Sequence, residues 1–240
     1  LFTITPSYAV IEIFDGFEDG DYTSNPQWTP SNLPYGTAFV SVDDPVNLDN
    51  YALKVHGTDQ AHYTLDTPAN ATFAGFDLSM EFLATNGLDY GPHFLIGNEN
   101  EWIAFFLSSK LNIMMSEFTD GGPGPRYDYT ASCPSISPNT WLHLHMWHDV
   151  ESDLIKAEVR RISDNLLVAE LSFVPVTDLA GLSTSFIRIG AEELSWQYID
   201  NVTLRSKAML KVPSVEYPTI QAAIDAAEDG DEVLVADNIY

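Results

Sequence analysis

Seven residues in the middle of the chain, Trp141-Leu142-His143-Leu144-His145-Met146-Trp147, alternate strictly between rings and flexible apolar side chains. In an extended strand successive side chains point to opposite faces. Leu142, Leu144 and Met146 therefore fall on one face, and His143, His145 and Trp147 on the other. Stacking on a sugar ring needs an aromatic face with hydrogen-bonding groups beside it. The ring-bearing face is thus the leading contribution to a concave binding groove, with Tyr90, His93, Trp102, Tyr127 and Tyr129 as candidates from neighbouring runs. The same pattern also allows Trp147 and Trp102 to be core fillers between two sheets. His143 and His145, two apart on one face, can both reach a transition metal, but no third ligand is nominated and two histidines on a polar strand face are the simpler reading.

Composition narrows the function classes. Ten basic against thirty-five acidic residues give a formal net charge of −25. Nucleic acids and anionic membranes are bound through Lys and Arg, so both are poor partners for this chain. The acidity suits a protein that works among divalent cations or in high salt, and equally one that is acidic for solubility alone. With 45% hydrophobic and 12% aromatic residues in 240, the chain can bury a full core. Cys133 is the only cysteine, which excludes an internal disulfide and a thiolate metal cluster. No run of eighteen apolar residues is present, so no helical membrane span is expected. Residues 1–9 are compatible with the end of a secretory leader, with Ser7 and Ala9 at small-residue positions.

The elements that must position these residues are strands. Short apolar or alternating runs at 38–42, 51–56, 76–84, 93–96, 102–107, 111–115, 141–148, 154–162, 166–171, 186–189 and 198–204 are broken by Gly, Pro, Asn and Asp. Runs of this length, β-branched and aromatic in character and without helical periodicity, predict an all-β antiparallel sandwich. Residues 15–21 and 120–125 read as loops. Four places carry a likeness. They are Phe14-Asp15-Gly16-Phe17-Glu18-Asp19-Gly20-Asp21 followed by Asn25-Pro26-Gln27-Trp28, the strand opening Asn139-Thr140-Trp141-Leu142-His143-Leu144, the hairpin 153–169, and Tyr198-Ile199-Asp200-Asn201-Val202-Thr203-Leu204. On these residues 10–206 resembles the concanavalin A-like lectin/glucanase jelly roll, including laminin-G-like modules.

The resemblance implies that the first and last strands lie side by side, bringing the acidic N-terminal loop near Asp200. Similar modules hold a structural calcium there, so Glu18 and Asp200, then Asp15, are the expected ligands of a calcium cofactor; calcium takes six to eight oxygens. A solvated acidic loop is the alternative, since the spacing is not that of an EF-hand. Glucanases on this fold carry paired carboxylates in a Glu-x-Asp-x-x-Glu pattern or a close variant, to flank the sugar bond. That pattern is absent. A polysaccharide-binding module is therefore expected ahead of an enzyme.

The tail follows a different period. Ile220, Ala223, Ile224 and Ala227 fall at i, i+3, i+4 and i+7, the stripe of a helix. Thr219 is placed to cap its start and Gly230 to end it, and Val233, Leu234 and Val235 form a short strand-type run. The stretch from Val212-Pro213-Ser214-Val215 through Pro218-Thr219-Ile220 to Val235 resembles the opening of the pectin-lyase-like right-handed parallel β-helix. That implies an N-terminal cap and first rung in 207–240, truncated here, since a solenoid needs about three repeats to cover its core. The expectation is a secreted or cell-surface multidomain protein whose catalysis, if any, lies in the rest of the β-helix. The alternatives are an interaction or adhesin module of a surface β-helix protein, and a fragment of a polysaccharide-degrading enzyme.

Overall fold

The computed structural model describes residues 13–24, 26–30, 36–41, 51–57, 63–72, 76–84, 90–97, 102–108, 112–118, 126–132, 137–149, 152, 154–174, 183–191, 196–206, 209–215, 217–227 and 232–235. The leader expectation at 1–9, Cys133 and Gly230 lie outside them.

The body is two antiparallel sheets packed face to face. In chain order the strands are β1 (Ile13–Asp15), β2 (Thr29–Pro30), β3 (Gly36–Ser41), β4 (Ala52–Gly57), β5 (Tyr63–Thr72), β6 (Phe76–Ala84), β7 (Tyr90–Gly97), β8 (Trp102–Ser108), β9 (Asn112–Phe118), β10 (Arg126–Ser132), β11 (Thr140–Asp149), β12 (Leu154–Arg161), β13 (Leu166–Phe173), β14 (Ser183–Ala191) and β15 (Trp196–Ser206). The larger sheet runs β13-β12-β11-β6-β15-β4-β3, with β1 joining β15 as an eighth strand. The smaller runs β10-β9-β8-β7-β14-β5-β2.

Alternation decides which side of each strand is buried. β11 shows it cleanly: Leu142, Leu144, Met146 and His148 are buried, while Trp141, His143, His145, Trp147 and Asp149 are half-buried. The inward residues meet Leu78, Met80 and Phe82 of β6 and Ile199, Val202 and Leu204 of β15. Phe94, Ile96, Ile103, Phe105, Ile187 and Ile189 close the core from the smaller sheet. Each such side chain contributes about 1.5–3 kcal/mol when removed from water. The two sheets differ on their outer sides. In the smaller one, Leu95 and Ala104 lie opposite Phe94 and Phe105 on their strands and are buried too, at 2% and 0% exposure. The outer side of the larger sheet is reached by solvent along β11 and β12.

The described residues of the tail build a small hydrophobic cluster of their own. β16 (Met209–Val212) pairs in parallel with β17 (Glu232–Val235), and the helix α1 (Ile220–Ala226) packs against both. Thr219 caps the helix as its sequence position predicts, its hydroxyl accepting from the Ala222 amide at 3.1 Å. Val212 and Ala223 form its buried centre with Tyr217, Ile220, Ala227 and Val233 around them. Two details depart from expectation. Ile224 is exposed, so the packed stripe is Ile220, Ala223 and Ala227. The helix also ends early: Ala227 is its C-cap, with extended backbone and its amide donating to the Ala223 and Ile224 carbonyls. A parallel β-helix itself is not established by one parallel pair.

Candidate functional site

The ring-bearing side of β11 is the outer side of the larger sheet. There the rings form a ladder: His143 and His145 lie 6.4 Å apart at an interplanar angle of 7°, and His145 and Trp147 lie 4.5 Å apart at 21°. Trp147 is therefore a face residue, and the alternative of a core filler does not hold for it. Register brings charged groups alongside. Asp77 of β6 and Lys156 of β12 stand opposite Trp147, while Ser79 and Glu158 stand opposite His145. His145 Nε2 lies 3.0 Å from Asp77 Oδ1, and its Nδ1 4.0 Å from Glu158 Oε1. A carboxylate can only accept, so Nε2 carries the hydrogen in that contact. Arg160 donates to Glu158 at 2.8 Å and holds that carboxyl below its usual range. Lys156 pairs with Asp149, pushing the Asp149 carboxyl down to about 2. Burial holds the His143 imidazole below its ordinary pKa. Beside the ladder Trp147, Lys156, Glu158, Glu170 and Ser172 line a hollow of about 490 Å³ across β11, β12 and β13.

The other five predicted ring residues are elsewhere. Tyr90 and His93 are on β7, Trp102 on β8, and Tyr127 and Tyr129 on β10. All three strands belong to the smaller sheet, whereas the neighbours of β11 are β6 and β12. Strand pairing therefore does not set them beside His143, His145 and Trp147. Their side chains lie outside the described residues.

The acidic loop also resolves differently from expectation. β1 does pair with β15, Asp15 opposite Val202, so the first and last strands of the sandwich are neighbours. Asp15 points into the core, its Oδ1 accepting from the Phe17 amide at 2.8 Å and its Oδ2 from Trp28 Nε1 at 2.7 Å. Asp200 stands opposite Glu81, which in turn stands opposite His143, on the other side of the sheet, and its Oδ1 accepts from the Asn201 amide at 2.7 Å. Glu18 is exposed in the turn. Among the described residues, Asp15, Glu18 and Asp200 included, no group of three acidic, His or Cys side chains is placed to hold a metal ion. The acids build turns instead. Asp19 accepts from the Asp21 amide at 2.9 Å, and Asp21 from the amide and hydroxyl of Thr23 at 2.8 and 2.7 Å. An Asp whose side chain binds the backbone two residues on is the common Asx turn. Burial, opposed by the Phe17 and Trp28 hydrogen bonds, pushes the Asp15 carboxyl up to about 6.

Sequence reasoning missed a second cluster on the same outer side. Trp196 and Tyr198 of β15 register against His56 and Lys54 of β4. Lys54 Nζ lies 4.8 and 5.0 Å from the two ring centres, and the His56 and Trp196 rings are 4.6 Å apart. The available signal was alternation in both runs, Trp196-Gln197-Tyr198 and Lys54-Val55-His56, but it does not say that two runs so distant in sequence pair.

The fold is a jelly-roll β-sandwich similar to that of solved legume lectins. The basic winged bean lectin, solved with Tn-antigen, matches with a TM-score of 0.56 at 8% identity. Arcelin-5, a lectin-like defence protein from Phaseolus vulgaris, matches at 0.54 and 8%. Lectin I from Ulex europaeus, in complex with the methyl glycoside of α-L-fucose, matches at 0.53 and 10%. Each comparison covers 82% of this chain and 98% of the other. Identities this low speak for the fold alone. No protein-family model matches the sequence, and no curated protein does.

Proposed function

We propose that residues 10–206 are a polysaccharide-binding module of a secreted or cell-surface protein, and that the sugar chain lies across β11 on the outer side of the larger sheet. The ring ladder His143, His145 and Trp147 beside the hollow carries this reading. Sugars offer C–H faces to aromatic rings and hydroxyls to charged or amide groups. Trp147 supplies the first, and Glu158, Glu170, Lys156 and Ser172 the second. A volume of about 490 Å³ falls in the range of small-ligand sites. The fold shared with lectins solved with Tn-antigen and with a fucoside supports the same reading. No structural calcium is assigned to Asp15, Glu18 and Asp200, whose carboxylates face different directions. No catalytic step is assigned to the sandwich. Residues 207–240 we read as the start of a parallel β-helix, supported by the parallel β16–β17 pair and the capped helix beside it.

The test is affinity electrophoresis in gels containing soluble glucan, mannan or xylan. Wild-type protein is expected to be retarded by at least one of them, and Trp147→Ala to migrate freely while losing less than about 1 kcal/mol of stability, as a half-buried face residue should. Free migration of the wild type in every gel, or unchanged retardation of Trp147→Ala, refutes the reading.

A further inference from the structure

On β11 the outer positions carry a ring every second residue: Trp141, His143, His145 and Trp147. Register extends this line sideways, because Trp141 stands opposite Leu83 and Leu83 opposite Tyr198, and these three pack together. Trp196 is the next outward position along β15 and is 38% exposed. The ladder and the Trp196–Tyr198 cluster are thus two parts of one surface. From the Trp147 row to the Tyr198 row is six residues along a strand, about 20 Å, and two strands across, about 10 Å. A disaccharide cannot touch both.

We propose that the two ring clusters are the ends of a single extended track, so that the module binds the interior of a linear, neutral polysaccharide. The proposal rests on the carbohydrate reading above and adds chain length and charge to it. An uncharged chain suits this side because its cations are engaged, Arg160 with Glu158, Lys156 with Asp149, and Lys54 over the rings of Trp196 and Tyr198, while the carboxyls of Glu81 and Glu170 stand along it. A polyanionic chain would in addition approach a protein of net charge −25. Between the ring clusters Glu81 accepts from Asn201 Nδ2 at 3.0 Å, placing further hydrogen-bonding groups along the path.

Titration calorimetry with gluco-, manno- and xylo-oligosaccharides, from disaccharides to about octasaccharides, separates the two claims. Affinity is expected to rise at least about tenfold with length in one series, a step of about the size one stacked ring supplies. Trp196→Ala should remove about tenfold for the longest member and leave the disaccharide unchanged, and Trp196→Tyr should restore it, which a merely misfolded variant would not. Trp147→Ala should weaken every member. If Trp196→Ala binds the longest member as well as wild type, the track is wrong and the Trp147 site stands. If Trp147→Ala also binds unchanged, or wild type binds no series, the carbohydrate reading falls and the track with it.

Discussion

Asp15 is a buried carboxyl whose charge is opposed by its surroundings, and its cost should be readable in stability against pH. Its folded pKa of about 6 stands above the ordinary 3.8. A shift of about 2 units corresponds to at most about 3 kcal/mol between the two protonation states. The folded state holds the proton more tightly than the unfolded one, so the cost is fully present above pH of about 6. It is relieved as pH falls through that value toward 3.8. Between pH 7 and pH 5 Asp15 alone should add about 1 kcal/mol to the unfolding free energy. Burial of His143 acts in the opposite sense, since its depressed pKa makes the folded state resist the proton. The contrast with Asp15→Asn isolates the carboxyl, because both proteins keep His143. The amide cannot accept at both positions, so the Phe17 amide or Trp28 Nε1 loses a partner at about 1–3 kcal/mol. The diagnostic quantity is therefore the pH slope and not the absolute stability. Urea unfolding at three pH values, followed by tryptophan fluorescence, measures it. Equal slopes for wild type and Asp15→Asn between pH 5 and pH 7 would refute the assignment.

Two further outcomes follow from the geometry. Because Asp15 and Asp200 face opposite sides of the sheet, calcium or a chelator should leave the thermal midpoint of the sandwich unmoved; a rise of several degrees with calcium would restore an ion to the acidic loop. Thr219→Ala should cost about 1 kcal/mol and confine its effect to hydrogen exchange in α1, β16 and β17, and faster exchange in β11 would show that the tail and the sandwich unfold together.

Where burial alternates, the sequence and the fold agree. The runs at 141–148, 154–162 and 166–171 became β11, β12 and β13 almost residue for residue, because one side of each faces the core. β5 was unread, since it contains Pro68 and Asn70 and carries a register shift opposite β14. β10 begins directly after the Gly- and Pro-rich stretch 120–125 and was eclipsed by it. The ladder on β11 is local and was legible. The Trp196 cluster was not, since it depends on β4 meeting β15 across roughly 140 residues of chain. The acidic loop misled for a chemical reason: turn-building aspartates and ion ligands are the same residue type, and only the direction of each carboxylate tells them apart.

β15 pairs with β6 along one edge and shares its other edge between β4 and β1, the handover falling near the bulge between Asp200 and Thr203. It is also the last strand of the sandwich to be synthesised. Until residue 206 has left the ribosome, β6 and β4 present unpaired edges at the middle of the sheet, and β1 waits through nearly the whole body for β15, its partner among the described strands. Loop closure of that span must precede any gain from the pairing, which makes the step slow. Exposed strand edges in the interval invite pairing between chains. The larger sheet is complete only with its closing strand in place, and a chain lacking that strand would expose edges at which copies can pair.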